Sequence, residues 1–221
     1  MEHAIGQVLT FAVGVSLSPF PIIGMVLMLT TPRGRANGPA FLVGWVVGLV
    51  LAGTVVLLVA GGADAASGDS SDGVSWVKVG LGVLLLGVAA RQWRGRPRAG
   101  VEPQEPAWMK AVDAFDPAKA AGLGVLLSAV NPKNLLLVAG AALAIAQAGV
   151  SSGDQAVALA VFVVIATIGP ALPLAISLLK PSKSERLLGE LKEWMMRSNA
   201  AIMAVICLLI AAKLIGDGIS G

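Results

Sequence analysis

The chain has 221 residues, of which 56% are hydrophobic and only 13% are charged. Its mean hydropathy is +0.83, whereas a soluble globular domain usually has about 25% charged residues. Because the apolar residues also form long runs, these values exclude an ordinary soluble fold. The formal net charge of +3 does not indicate nucleic-acid binding, since the positions of the basic residues are explained by a membrane topology.

Six apolar runs are long enough to be membrane spans, because a helix needs about 20 residues to cross about 30 Å of hydrocarbon. Backbone amides in lipid must be satisfied within a helix or a closed barrel, and these runs do not alternate with period two. The sequence therefore predicts an all-α integral membrane protein. The first run is too long for the apolar core of a cleaved signal, so we expect it to be a span. The predicted spans are residues 4–31, 38–62, 74–94, 118–147, 155–179 and 198–216.

The lysine and arginine residues predict the orientation of the chain. They concentrate after spans one, three and five, whereas the connection after span two is acidic and the one after span four has no basic residue. By the positive-inside rule, the odd connections are cytoplasmic and both termini lie outside. The basic residues of the odd connections are Arg33, Arg35, Arg91, Arg94, Arg96, Arg98, Lys110, Lys119, Lys180, Lys183, Arg186, Lys192 and Arg197.

Span one contains two helix-breaking residues near its middle, Pro19 and Pro21, which follow Ser18. Each proline removes a backbone donor and clashes with the carbonyl four residues earlier. The freed backbone groups need partners in protein or in a water-lined cavity. We therefore predict a broken helix with these three residues at a substrate-binding site. The alternative is a structural kink in which the serine bonds to its own turn.

Span four is interrupted in the same way at Asn131, Pro132, Lys133 and Asn134, just after Ser128. Lys133 lies about 15 residues from either end of the span, where a charged side chain costs about 2.5–3.5 kcal/mol even on the mildest scale. The apolar parts of the spans contain no Asp or Glu. The lysine is therefore either uncharged or paired with an anion that arrives as substrate, and we predict that these five residues bind substrate.

The same lack of carboxylates predicts that the protein holds no metal ion, because Mg²⁺, Ca²⁺ and Mn²⁺ require hard oxygen ligands. We find no nucleophile–base pair and no phosphate-binding loop, so we predict no catalytic residue, no cofactor and no enzyme activity. Cys207 stands alone and is interpreted as a small packing residue. In span five, Gly169, Pro170 and Pro173 predict a further kink that helps to open a pathway.

The two halves of the chain are related in pattern. Residues 14–18 (GVSLS) match residues 124–128 (GVLLS), and each match is followed within a few residues by proline. Three spans per half is an odd number, so the halves must have opposite polarity in the membrane, as in many secondary transporters. We predict a first three-helix repeat over residues 1–94, a cytoplasmic linker over 95–117 and a second repeat over 118–221.

Two stretches outside the spans have helical amphipathic spacing, residues 106–116 and 184–196. We expect both to lie flat on the cytoplasmic leaflet as connectors rather than to act as gates. In span two, Gly44 and Gly48 have the spacing that lets helices approach closely. We favour packing within the bundle, with a homodimer face as the alternative. The apolar faces of the two stretches are formed by Trp108, Met109, Val112 and Phe115, and by Leu187, Leu188, Leu191, Trp194 and Met195.

Three segments together resemble a known family: 17–23 (LSPFPII), 131–135 (NPKNL) and the loop 31–45 (TPRGRANGPAFLVGW). They are similar to the glycolipid-addressing (GAP) family, which includes the sulfolipid-addressing protein Sap and is a branch of the LysE transporter superfamily. The resemblance covers residues 5–216. Amino-acid exporters of that superfamily have P-G-P where this chain has Pro19-Phe20-Pro21, which counts against a plain amino-acid exporter.

The resemblance implies two inverted triplets of spans and a role in moving complex glycolipids to the outer envelope of mycobacteria and their relatives. We accordingly expect a multi-pass protein of a bacterial plasma membrane that exports a glycolipid or a similar amphiphile. Its expected partners are membrane lipids, that substrate and a larger lipid-export complex. The alternatives are an exporter of an amino acid or another small metabolite, and a scaffold that does not transport but serves lipid synthesis and export.

Overall fold

The computed structural model describes residues 2–67, 76–95 and 112–220. All regular elements in these residues are helical, which confirms the prediction of an all-α protein. A π-helical turn, Leu126–Val130, continues the helix Pro117–Val125, and a short 3₁₀ turn, Val112–Ala114, precedes that helix. The helices are α1 (Glu2–Ser16), α2 (Pro19–Thr30), α3 (Gly34–Ser67), α4 (Trp76–Arg94), α5 (Pro117–Val125), α6 (Pro132–Ala146), α7 (Ser152–Leu179) and α8 (Pro181–Ser220).

Among the described residues, three single helices are long and apolar enough to cross a membrane, within Gly34–Ala60, Ser152–Leu179 and Arg186–Ile219. The total is five if each of two bent pairs, α1–α2 and α5–α6, is one span. These five correspond to five of the six predicted spans. The third predicted span corresponds to α4, whose 19 residues end on Arg91 and Arg94 and which is not among the candidates. Large apolar side chains on the outer faces, such as Leu58 (72% exposed) and Val164 (66%), are what a lipid-facing surface requires.

Small residues determine where the helices cross. A side chain at Gly44 of α3 would overlap the backbone of Ala121 in α5, and one at Gly169 of α7 would overlap the carbonyl oxygen of Ser16 in α1. Thus α3 packs across α5, the first helix of the second half, and α7 packs across α1, the first helix of the first half. The helices α4 and α8 also pack together. Gly44 therefore serves packing within the bundle, which is the interpretation that the sequence favoured over a homodimer face.

The segment 184–196 is not a helix of its own, because α8 runs without a break from Pro181 to Ser220. Its apolar face is also divided. Leu188 and Met195 are buried, and Met195 packs with Ile22 and Ile23 of α2, whereas Trp194 is 57% exposed. Contact with α2 explains the difference from the prediction, since protein covers part of the face that was expected to lie in lipid.

The linker between the halves lies largely outside the described residues. Of its predicted amphipathic face, Trp108 and Met109 are not described, whereas Val112 is buried beside Met25 and Met28 of α2. The helix α3 extends to Ser67, into the connection that follows the second predicted span. At the start of α5, the carboxylate of Asp116 caps the helix by accepting the backbone N–H of Lys119 at 2.9 Å. That bond is the main reason why the pKa of Asp116 lies below its ordinary value.

Candidate functional site

The first break lies between α1 and α2, whose axes differ in direction by 50°. Ser18 occupies the position before Pro19 with an extended backbone, and its side chain makes no capping hydrogen bond to α2. Its backbone N–H bonds to the carbonyl of Val15 instead of to that of Gly14, the regular helical partner. The carbonyl of Gly14 at the end of α1 is therefore left for another donor.

The second break lies between the π-helical turn and α6, with a bend of 61°. Asn131 caps α6, since its side-chain oxygen accepts the backbone N–H of Lys133 at 3.2 Å. The backbone N–H of Asn131 reaches five residues back to the carbonyl of Leu126. Pro132 offers no N–H to the next carbonyl, that of Leu127, and the side-chain amide of Asn134 donates to it at 2.8 Å. The second break thus supplies its own hydrogen-bond partners.

Lys133 connects the two breaks. Its Nζ donates to Ser18 Oγ at 3.1 Å and contacts the carbonyl oxygen of Gly14 at 3.5 Å. The residue is only 5% exposed, and the partners that the structure gives Nζ are a hydroxyl and a carbonyl, not a carboxylate. The carbonyl end of α1 carries partial negative charge, which favours a cationic group there. A side chain from the second half therefore satisfies the end of the first broken helix.

The helix α7 approaches the same region. Gly169 donates its backbone N–H to Ser16 Oγ at 3.0 Å, where α7 comes too close to α1 to leave room for a side chain. The structure retains α7 as one helix through Pro170 and Pro173, and both prolines are buried. The predicted glycine–proline segment thus lies against the last residue of α1.

Ser128, another predicted site residue, makes its hydrogen bonds within its own turn and not with Lys133. Its hydroxyl is buried and directed to the carbonyls of its own turn, Gly124 at 2.9 Å and Val125 at 3.1 Å. It also packs closely on Gly48 of α3. A serine that bonds to its own turn in this way is the structural alternative to a substrate-binding residue. Asn134, by contrast, is fully buried, and its Oδ1 accepts no hydrogen bond from the described residues.

Comparison with known proteins gives one decisive match. The family described as Sap, sulfolipid-1-addressing protein, matches residues 8–220. The chain belongs to this family. No curated protein and no solved structure matches the chain. The match covers both broken helices and confirms the family that the three sequence segments indicated.

Two residues in this member of the Sap family contribute to the site region but were not predicted to do so, and a third, Asn37, makes a buried contact elsewhere. Gly14 and Ser16 provide the oxygen atoms that Lys133 and Gly169 contact. Both lie in the repeated segment 14–18, so the repeat itself was the available signal. Asn37 is fully buried and donates to Thr31 Oγ1 at 3.1 Å and to the carbonyl of Phe115 at 3.0 Å. It fixes the turn between α2 and α3 to the end of the linker, just before α5.

Proposed function

We propose that this protein is a membrane exporter, or the core component of an export system, that moves a glycolipid or a similar amphiphile outward across a bacterial plasma membrane. The observation that carries the proposal is the buried contact of Lys133 with Ser18 and Gly14, which joins two broken helices. A buried lysine without a carboxylate partner among the described residues marks functional sites in membrane proteins. The description of the family supports a lipid as the substrate.

The proposed architecture is six spans in two inverted repeats, with the odd connections in the cytoplasm. Reciprocal packing supports it, because α3 crosses α5 of the second half and α7 crosses α1 of the first half. The close packing of α4 on α8 brings together the third span of each proposed repeat. Broken helices in corresponding positions of two such halves are the best sequence indication of a transport site.

We propose that the substrate's polar or anionic head binds where α2 and α6 begin. The N-terminal ends of helices favour anionic groups, and a protonated Lys133 in the first turn of α6 adds positive charge there. Both present partners of Lys133 Nζ are uncharged, so an arriving anion is a stronger partner. Asn131 and Asn134 supply amide groups beside it, while Ser18, Pro19, Pro21 and Pro132 maintain the breaks. Binding would therefore compete directly with the link between the two halves, which couples substrate to a change in their packing.

The test compares the surface-extracted and total lipids of a deletion strain with those of strains complemented by the wild type, Lys133→Ala, Lys133→Gln or Lys119→Ala. The last variant is a matched control, because the side chain of Lys119 is 61% exposed. We expect one glycolipid class to be lost from the surface and retained in the cell, with no rescue by either Lys133 variant. Normal export by both Lys133 variants would show that the role given to this residue is wrong. A small metabolite missing from the medium, with surface lipids unchanged, would favour a metabolite exporter instead.

The extent of α8 favours a second candidate function, a scaffold for lipid synthesis and export. Its 40 residues form about 60 Å of helix, twice the length that crosses about 30 Å of hydrocarbon. Near its start it carries two exposed ion pairs, Arg186–Glu190 and Arg197–Glu193, and the exposed Trp194. Such a charged helix offers a surface to a partner. Purified protein that moves no lipid in liposomes, yet co-purifies with a larger transporter, would favour the scaffold.

A further inference from the structure

A continuous apolar groove runs between α1 and α8 on the outer face of the bundle. One part has a volume of about 330 Å³ and a second part about 470 Å³. The two parts share Leu17 and Ile206, so we treat them as one groove. Apart from these shared residues, the first part is lined by Leu9, Thr10, Val13, Gly14, Leu209 and Ile210. The second part is lined by Trp194, Met195, Ala201, Ile202 and Val205.

The dimensions of this groove match a lipid chain. From Trp194 to Ile210 the groove follows 17 residues of α8, which is about 25 Å of helix. A single leaflet has about half of the 30 Å hydrocarbon thickness, so the groove is longer than one leaflet is deep. Thr10 is the one hydroxyl-bearing residue among the lining side chains. The volumes lie in the range of ordinary ligand sites, which is about 300–1,000 Å³.

The groove adjoins the polar site through a single turn of α1. Gly14 lines the groove, and its carbonyl oxygen is the one that Lys133 Nζ contacts. Leu17 lines both parts of the groove and precedes Ser18, the second partner of Lys133. The polar contacts and the apolar groove therefore meet at the end of α1. A molecule that occupies both must have a polar head joined to a long apolar chain.

We propose that this groove holds one acyl chain of the amphiphile whose head binds at Lys133. The assignment rests on the proposed function and adds the position and the chemical class of the substrate's tail. Apolar chains gain no hydrophobic free energy on moving from lipid into an apolar groove, so close packing must retain them. The side chains that border the groove include Leu17 and Val205, each 51% exposed, so a chain enters sideways from the bilayer without passing through the bundle.

The experiment uses the purified full-length protein in liposomes that contain phosphatidylglycerol with a photoreactive diazirine at the end of one acyl chain. After irradiation, mass spectrometry locates the labelled peptides. The wild type is compared with Val205→Trp, which places a bulky ring in the groove, and with Val164→Trp as the control. Val164 is also an apolar lipid-facing residue, 66% exposed, on a different helix. Val13→Trp, on the opposite wall of the groove, gives a second and independent block.

We expect labels to concentrate on residues 9–17 and 201–210 in the wild type and in Val164→Trp. Both groove variants should lower that labelling about fivefold or more, which corresponds to about 1 kcal/mol or more of binding free energy. Labels spread evenly over the lipid-facing helices, or equal labelling of Val205→Trp and Val164→Trp, would overturn the assignment. A thermal unfolding midpoint within the wild-type range confirms that each variant is folded.

The result is independent of whether the protein exports anything. Loss of groove labelling in both groove variants supports the chain site even if a deletion strain exports every lipid normally, in which case only the proposed function fails. Conversely, normal labelling in both groove variants removes the chain site while the role of Lys133 in export stands. Phosphatidylcholine with the same photoreactive chain provides a further arm. If neither phosphatidylcholine nor phosphatidylglycerol labels the groove under any condition, the assignment is also overturned.

Discussion

The two broken helices satisfy their backbone groups in different ways. At the second break, Asn131 caps the new helix and Asn134 takes up the carbonyl of Leu127, so that the segment supplies its own partners. At the first break, Ser18 makes no side-chain cap, and the free oxygen atoms of Gly14 and Ser18 are contacted by Lys133 from the other half. The first break therefore depends on tertiary contacts, whereas the second is stabilised locally.

The repeated segments 14–18 and 124–128 show how this difference arises. In the second half, Ser128 bonds back to the carbonyl of Gly124 within an intact turn. In the first half, the equivalent residues are Gly14 and Ser18, which lie directly before Pro19. Lys133 contacts both of them. The proline of the second half comes three residues later relative to the repeat, at Pro132. That small shift leaves one serine in a helical turn and places the other at a break.

The largest effect should come from Gly169→Ala, which tests how strongly the first break depends on its neighbours. The added methyl group would overlap the carbonyl oxygen of Ser16, part of the backbone that cannot move aside as a side chain can. We expect the free energy of unfolding to fall by about 3 kcal/mol, at the upper end of overpacking effects. Unfolding in mixed detergent micelles measures it.

Gly122→Ala is the matched control for this substitution. Gly122 lies in α5, and a methyl group there meets no atom within 4 Å. Because alanine favours helix over glycine by about 1 kcal/mol, this variant should be as stable as the wild type or slightly more stable. Equal losses in the two variants would show that α7 does not pack on the end of α1 as described.

A smaller loss is expected from Asn134→Leu, which tests whether the second break supplies its own partners. The substitution removes the amide that donates to the carbonyl of Leu127. A buried carbonyl without a partner costs about 1–3 kcal/mol, and the same measurement of unfolding should show this loss. Adding Pro132→Ala to this variant restores a backbone N–H at the residue that lacks one, so the double variant should regain part of the loss. Two additive losses would contradict the local account of this break.

The main features of the fold and the positions of both breaks could be predicted from the sequence. Long apolar runs and prolines act through local physics, since a proline removes its donor in any surroundings. The continuity of α8 could not be predicted in this way. The charges at 185–193 indicated a surface segment, but whether a helix bends at Arg197 or continues depends on its contact with α2, through Met195 and Ile22.

The partners of Lys133 also lay beyond what the sequence could show. Its depth in span four predicted a buried contact, but Gly14 and Ser18 are more than 100 residues away in the chain, and only the packing of the two halves brings them together. The roles of the two serines were equally ambiguous, because either serine could bond back to its own turn. The structure separates them, and their difference can be measured.

The smallest expected effect is the difference between Ser18→Ala and Ser128→Ala. Ser18→Ala removes the closest partner of Lys133 Nζ, at 3.1 Å, and should lower the free energy of unfolding by about 1 kcal/mol, the net worth of one hydrogen bond. Ser128→Ala removes only a bond to its own turn, an arrangement that slightly destabilises helices, and should leave stability unchanged. In a Lys133→Met background the effect of Ser18→Ala should disappear, because the shared contact is already lost. If Ser18→Ala lowers the free energy of unfolding equally in both backgrounds, Ser18 stabilises the first break without Lys133. The second break would then no longer be the only one that is stabilised locally.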